Sequence, residues 1–367
     1  MKNRFLKNLF SLKSLISLIL IALCILLLLF EGCKPVRDYQ KKEWLVFGTI
    51  YHITYDAEQP LDSVIEAALR SVDESLSLFN EHSTLVRLNN GDTVDVDELY
   101  TEVFSVGQSV NSATEGCFDM TVAPLVNLYG FGTEGRMQDT CGLAVKVDSI
   151  RQFVGMDKCT LGSENGKMWL EGGVKLDAAA IAKGFGCDVV AKALSDNGCN
   201  DYCVEIGGEV VVRGLSPRGD KWRIGVNKPE EDTTCMNAEI EKVMELTDCA
   251  MATSGNYRNF YEVDKTKVGH TVDPRTGKLA KTDMLSATII ADRCIVADAW
   301  ATACMVAGVR QATEWMMNHQ ELSAFFIYEE NGEMKTITML PSVLTQTKGS
   351  VVISIVGLGF TVTVSAT

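Results

Sequence analysis

From Leu61 to Leu78 the apolar residues recur at Leu61, Val64, Ile65, Ala68, Leu69, Val72 and Leu76. That three-and-four spacing lines one face of a helix. The segment before it, residues 45–55, is rich in β-branched and aromatic residues and alternates apolar with polar in its later half. It predicts a strand. A second helix is expected over residues 97–114, where Glu115-Gly116 supplies a stop, and a third over 180–197, closed by Gly198. Strand patterns follow over 201–213, 222–227 and 286–291, then a helix over 295–306 that continues into 309–318. Helices and strands in this irregular order predict an α+β fold. The last twenty residues, Lys348 to Thr367, are uncharged after Lys348, β-branched and glycine-spaced, which fits an edge strand or a loosely attached tail.

The amino terminus follows a different pattern. Lys2, Arg4, Lys7 and Lys13 precede an almost uncharged apolar run from Leu15 to Phe30, which meets Glu31, Gly32 and Cys33. Basic residues ahead of an apolar stretch mark an export signal. The run is also long enough for a retained membrane anchor, but a small residue directly before Cys33 favours lipoprotein processing and lipidation of Cys33. Either route tethers the body outside the cytoplasm, as for a lipoprotein at the periplasmic face of the inner membrane.

Charge narrows the partners. Removing residues 1–32 takes four basic residues and one acidic residue from 34 Lys+Arg and 48 Asp+Glu, leaving 30 and 47, net −17. Nucleic acid is a poor partner for such a surface. The remaining chain of about 335 residues has no low-complexity divider, so one large domain or two closely packed lobes are expected. The twelve cysteines contain no C-x-x-C, which argues against a zinc site.

Four segments could carry chemistry. Residues 175–188 crowd Asp177, a run of small residues, Lys183 and Gly184 at the start of a helix, where backbone N–H groups favour an anion. Capping by Asp177 and a solvated Lys183 is the plainer alternative. Ala252-Thr253-Ser254-Gly255-Asn256-Tyr257-Arg258 offers two hydroxyls on a turn, suited to phosphate oxygens or to simple capping. His270 stands just before Asp273-Pro274 and a Thr276-Gly277 turn, the place for a base at a strand-to-turn corner. Asp298 and Thr302, four apart on one helical face, can put two oxygens on one hard cation. Thr302 can equally bond its own helix.

Ten short motifs in one order, from about Val46 to Val309, join these segments. They are Gly48-Thr49-x-Tyr51, Ser77-x-Phe79, Leu88-Asn89, Gly116-x-Phe118-Asp119-x-Thr121-Val122, Asp177-x₅-Lys183-Gly184 and Gly207-Gly208-Glu209, followed by Trp222-Arg223-Ile224-Gly225, Ala252-Thr253-Ser254-Gly255-x-Tyr257-Arg258, His270-x-x-Asp273-Pro274-x-Thr276-Gly277 and Ala297-Asp298-Ala299-x-Ala301-Thr302. In this order they resemble the ApbE family of FAD:protein FMN transferases.

The resemblance implies an α+β, ApbE-like flavin transferase fold, related to the T-fold, with mixed sheets and packed helices. It divides the chain into a lipoprotein signal peptide (1–32), a tether (33–43), the transferase domain (44–346) and a tail (347–367). It implies FAD as substrate and Mg²⁺, with Mn²⁺ as a substitute, held by Asp298, Thr302 and the Ala180 carbonyl. Phe47 and Phe79 would border the flavin or adenine, Phe118, Asp119 and Met120 would line the nucleotide, Asp177 and Lys183 would hold it, and Val272 would pack beside it. Phe47 stands where the family often has methionine, and Ala178-Ala179 where it has Leu/Phe-Gly. His270 is the candidate proton acceptor, with Asp273 orienting it or only shaping the turn. The implied acceptors are proteins with a Ser/Thr-Gly-Ala-Ser/Thr-like motif, such as membrane redox subunits, and this chain lacks that motif. The same residues would also serve a metal-dependent FAD pyrophosphatase giving FMN and AMP, or a non-catalytic flavin-binding lipoprotein.

Overall fold

Residues 45–55 are not one strand but the tip of a hairpin. Val46 pairs with Thr49 across a two-residue turn, and both turn residues have positive φ, 51° at Phe47 and 73° at Gly48. Two left-handed residues match the twist of the flanking strands, at no cost for glycine but at some cost for phenylalanine. The computed structural model describes residues 38–365 apart from 138–140, 163–165, 230–238, 256–259, 264–265, 270, 342–350 and 356–359. The export segment and Cys33 lie outside them.

The hairpin comprises β1 (Tyr39–Val46) and β2 (Thr49–Asp56), so the chain is already in a strand within the segment expected as a tether. Five helices follow, α1 (Asp62–Leu76), α2 (Thr84–Asn89), α3 (Glu98–Ala113), α4 (Ala123–Leu128) and α5 (Leu143–Arg151), then β3 (Cys159–Leu161) and β4 (Met168–Leu170). Helix α6 (Ala182–Asp196) leads into β5 (Tyr202–Ile206), β6 (Glu209–Arg213), β7 (Trp222–Asn227), β8 (Ile240–Leu246), β9 (Cys249–Gly255), β10 (Phe260–Val263), β11 (Thr266–Gly269) and β12 (Met284–Ala291). Helices α7 (Cys294–Ala307) and α8 (Val309–Asn318) precede β13 (Ser323–Glu330), β14 (Glu333–Pro341), β15 (Val351–Ile355) and β16 (Phe360–Ser365).

Ten strands form one sheet in the order β1-β2-β5-β6-β9-β12-β13-β14-β16-β15, each neighbouring pair antiparallel. The carboxyl-terminal segment, expected as an edge strand or a tail, supplies β15 and β16 at one edge. Alternation along the strands builds two layers. Tyr51, Ile53 and Tyr55 of β2 and Val204 and Ile206 of β5 pack with Ile65 and Leu69 of α1 and Val190 and Leu194 of α6. On the other face Val210, Val212, Met251, Phe325 and Ile327 pack with Trp222, Val226 and Leu246 of the β7–β8 ribbon.

Helix α1 buries Ile65, Ala68, Leu69, Val72 and Leu76, the stripe its spacing predicts. Helix α7 is apolar on nearly every side and correspondingly buried. Its expected continuation through 309–318 is broken at Gly308, whose φ of 83° ends α7, while Asp283 Oδ1 accepts the Val309 N–H at 2.9 Å to start α8. From Tyr39 onward the chain is one compact unit. Among the described residues no helix is long and apolar enough to cross a membrane.

Candidate functional site

Helices α6 and α7 begin side by side, and each is capped by a carboxylate from the other. Asp188 of α6 accepts the Cys294 and Ile295 N–H groups at 2.8 and 3.0 Å, at the start of α7. Asp298 of α7 accepts the Gly184 N–H at 2.9 Å, in the first turn of α6. First-turn N–H groups have no partner within their own helix, so each carboxylate satisfies donors that would otherwise be orphaned. Burial nevertheless pushes the Asp188 carboxyl up to about 6, against the pull of those two N–H groups.

Only glycine permits this approach. A Cβ on Gly184 would lie 2.4 Å from the Cys294 carbonyl oxygen and 2.7 Å from Asp298 Cβ. The contact sets Asp298, which is 2% exposed, opposite Lys183 with a separation of 4.0 Å between Oδ2 and Nζ. Thr302, one turn further along α7, has its hydroxyl 3.4 Å from Ser254 Oγ at the end of β9. Ala180 is half-buried in the turn that enters α6. The structure therefore brings Asp298, Lys183 and the start of α6 into direct contact, with Thr302 on the same helix and Ser254 against it.

Glu209 stands in one of the family-like motifs, Gly207-Gly208-Glu209, but the sequence assigns it no role in the site. Gly207 and Gly208, with φ of 62° and 107°, turn the chain between β5 and β6 and deliver Glu209 inward, where it is 3% exposed. Its Oε1 lies 3.0 Å from Lys183 Nζ. Its Oε2 has no hydrogen-bond partner among the described residues. Burial works against the Lys183 charge, but Asp298 and Glu209 together overcome it and raise the ammonium pKa. Burial raises Glu209 to about 7, opposed by Lys183 and reinforced by the negative charge of Asp298. One ammonium among two buried carboxylates leaves a local excess of negative charge, the situation a cation relieves.

The donor chemistry fits a hard cation. Carboxylate, hydroxyl and carbonyl oxygens suit Mg²⁺ or Mn²⁺ and not a thiolate-seeking metal. Among the described residues no group of three or more His, Cys, Asp or Glu is placed to hold a metal. The set implied by the sequence does not require one, because it uses a single carboxylate.

The nucleotide candidates are linked through main chain. Asp177 N–H donates to the Met120 carbonyl at 2.7 Å, and Asp177 Oδ1 accepts the Ala179 N–H at 2.7 Å. Burial raises the Asp177 pKa. Asn89 grips the neighbouring residue from both sides, donating to the Leu176 carbonyl at 2.8 Å and accepting its N–H at 2.7 Å. That pair of hydrogen bonds gives the Leu88-Asn89 motif a physical meaning: it fixes the chain just before Asp177. Phe118 and Met120 are core residues, and Asp119 turns in to accept the Thr121 N–H at 2.7 Å, with burial raising its pKa. These three side chains face the interior, so this segment has mainly backbone to offer a ligand.

Phe47 and Phe79 differ. Phe47 is half-buried, with its ring where a Cβ on Gly186 of α6 would come within 2.9 Å, whereas Phe79 is 85% exposed in the loop after α1. Val272 is buried in a satellite core with Leu125, Tyr129, Val147 and Val154. Asp273 is fully engaged by Arg275, with Oδ1 2.9 Å from Nε and Oδ2 3.2 Å from Nη2. It shapes the turn that Gly277 N–H closes onto the Asp273 carbonyl at 2.8 Å. A cleft of about 540 Å³ places Asp119 and Arg275 along a common wall with Asn111 and Gly155. His270, Tyr257 and Arg258 lie outside the described residues.

The sequence pattern of the ApbE family matches residues 47–326. The chain belongs to the ApbE family. A Vibrio cholerae relative named FAD:protein FMN transferase is 35% identical over 300 residues, covering 79% of this chain and 87% of that protein. The protein of the same name from Escherichia coli is 28% identical over 340 residues, covering 88% and 95%. The flavin transferase ApbE of Vibrio cholerae superposes with a TM-score of 0.73 at 29% identity, over 82% of this chain and 97% of that one. The apo flavinyl transferase ApbE of Pseudomonas stutzeri gives 0.72 at 27% identity, over 82% and 95%. The matched segment 47–326 contains α6, α7 and Glu209, which together supply the Lys183–Asp298–Glu209 cluster.

Proposed function

We propose that this ApbE-family enzyme is an FAD:protein FMN transferase that splits FAD with the help of Mg²⁺, joins the FMN half by a phosphoester to a threonine or serine of a partner protein, and releases AMP. The observation that carries this reading is the contact of Lys183 with Asp298 at the mutually capped starts of α6 and α7. An ammonium beside a carboxylate can receive a pyrophosphate and its cation together, Lys183 facing a phosphate oxygen and Asp298 the cation.

Asp298, Thr302 and the Ala180 carbonyl are the proposed cation ligands, and Mn²⁺ would serve in place of Mg²⁺. A bound divalent cation would neutralise the pyrophosphate and so favour departure of AMP. Lys183 supplies a second positive charge to a phosphate, and Asp177 holds the loop that presents Ala180. Phe47 and Phe79 are proposed to border the ring systems, and the backbone of Phe118-Asp119-Met120 and of Val272 to line the nucleotide. The acceptor oxygen attacks the FMN phosphorus, the bond to the AMP phosphate breaks, and the hydroxyl proton passes to His270. Asp273, tied to Arg275, holds the turn that follows His270.

Incubating the detergent-solubilised full chain with FAD, MgCl₂ and a peptide containing Thr-Gly-Ala-Thr is expected to add the mass of FMN to the peptide and release AMP, with neither product in excess chelator. AMP without modified peptide would overturn transfer in favour of FAD hydrolysis. Bound, intact FAD would leave only a binding protein. The full chain matters, because removing everything after residue 346 would strip β16 from β14.

The same proposal covers location: residues 1–32 direct export, and lipidated Cys33 holds the enzyme at the outer face of the cytoplasmic membrane, near membrane redox subunits that serve as acceptors. Cys33→Ser is expected to move the protein from the membrane fraction to the soluble extracytoplasmic fraction. Retention of that variant in the membrane would mean that Leu15–Phe30 stays as a helical anchor.

A further inference from the structure

We propose that Glu209 is a positioning residue for the cation site: it holds the Lys183 ammonium away from Asp298 and so keeps that carboxylate open to a divalent cation. The inference rests on the assignment of Asp298 as a cation ligand.

Lys183 Nζ lies 3.0 Å from Glu209 Oε1 and 4.0 Å from Asp298 Oδ2, so the direct pair is with Glu209 and the contact with Asp298 is looser. A lysine ammonium sits on a flexible four-carbon stem with three rotatable donors, and its position follows its strongest partner. Without the Glu209 charge, Asp298 is the acid left beside it, and a shift of about 1 Å would close that pair. Ammonium and divalent cation would then compete for one carboxylate.

The fold invests in holding Glu209 where it is. Two consecutive positive-φ glycines turn it inward. The Cys187 thiol of α6 donates to the Glu209 carbonyl at 3.2 Å and fixes the backbone. Among the described residues its buried Oε2 finds no hydrogen-bond partner, an arrangement that costs stability and that a purely structural ion pair would not need.

The test measures Mn²⁺ binding to the FAD-free full chain, by the loss of the free-ion spin-resonance signal, for wild type, Glu209→Gln, Lys183→Gln and the double variant. Glu209→Gln is expected to weaken Mn²⁺ binding about tenfold in the wild-type background and less than about threefold once Lys183 is replaced, a coupling within the range for contacting residues. Equal weakening in both backgrounds would show that Glu209 acts by charge alone and would overturn the proposal, as would unchanged affinity. Should Glu209→Gln fail to fold, Glu209→Asp makes the same comparison, keeping the charge but withdrawing it by one methylene. Asp298→Asn separates the two levels: if it binds Mn²⁺ as wild type does, the cation assignment fails and this inference with it. If only Asp298→Asn loses binding, the assignment stands and the role of Glu209 falls.

Discussion

Asp298→Asn should give a folded protein that has lost FMN transfer by at least about 100-fold, equivalent to roughly 3 kcal/mol of the barrier. The asparagine oxygen can still accept the Gly184 N–H, which Asp298 accepts at 2.9 Å, so α6 keeps its cap. The charge that a divalent cation requires is gone. Asp298→Ala should lose transfer to the same degree and also unfold more easily, by about 1 kcal/mol for the missing cap. Thermal unfolding without metal, compared with AMP release in saturating FAD and Mg²⁺, checks both halves. Transfer by Asp298→Asn within threefold of wild type would remove Asp298 from the cation site. Similar melting of the two variants would instead remove the capping role.

This pair of variants separates the observed cap from the proposed cation contact, and only the second was suggested by the sequence. Asp298 and Thr302 at a spacing of four are compatible with a cation site, because both oxygens project from one helical face, or with a threonine bonded to its own helix. Nothing local announced the cap, since its donor lies on another helix 114 residues earlier. Asp188 is the converse case: read as part of a helix entrance, it acts on α7 across 106 residues. Contacts between a side chain and a distant backbone leave no periodicity behind, so pattern reading cannot find them.

Elements set by local periodicity were legible. The stripe of α1 and the glycine stop after α3, where Gly116 has a φ of 78°, follow from spacing and from glycine's freedom. One miss falls where a residue acts against its type. Phe47 in the left-handed region turned an expected strand into a hairpin, and phenylalanine gives no warning of that conformation. Gly308 divided an expected helix, and there the signal was present, since glycine after a periodic run is a common stop. Glu209 was visible only as an acid beside two glycines. That its side chain faces the interior depends on the pairing of β5 with β6 and on Lys183 arriving from α6. The ApbE motifs pointed to the family without any geometry, because their order along the chain reflects a shared architecture that no single segment encodes.

Gly184→Ala gives the sharpest reading of that architecture, because two effects of opposite sign compete in it. In an ordinary helix interior alanine is favoured over glycine by about 1 kcal/mol. Here a Cβ would stand 2.4 Å from the Cys294 carbonyl oxygen and 2.7 Å from Asp298 Cβ, contacts that real Cβ atoms do not make. The first neighbour is backbone, which cannot rotate aside, so α6 and α7 must separate. Overpacking of this kind costs about 1–3 kcal/mol, and with rigid backbone the upper end applies. Packing outweighs propensity, and the expected result is a lower melting temperature, by roughly 3–5 °C for a domain of this size. The same separation draws Asp298 away from Lys183 and the Ala180 turn, so Mn²⁺ affinity and FMN transfer should fall together with stability. A Gly184→Ala protein that melts at or above the wild-type temperature would show that the two helices do not approach this closely, and the cap from Asp298 to Gly184 would fall with that contact.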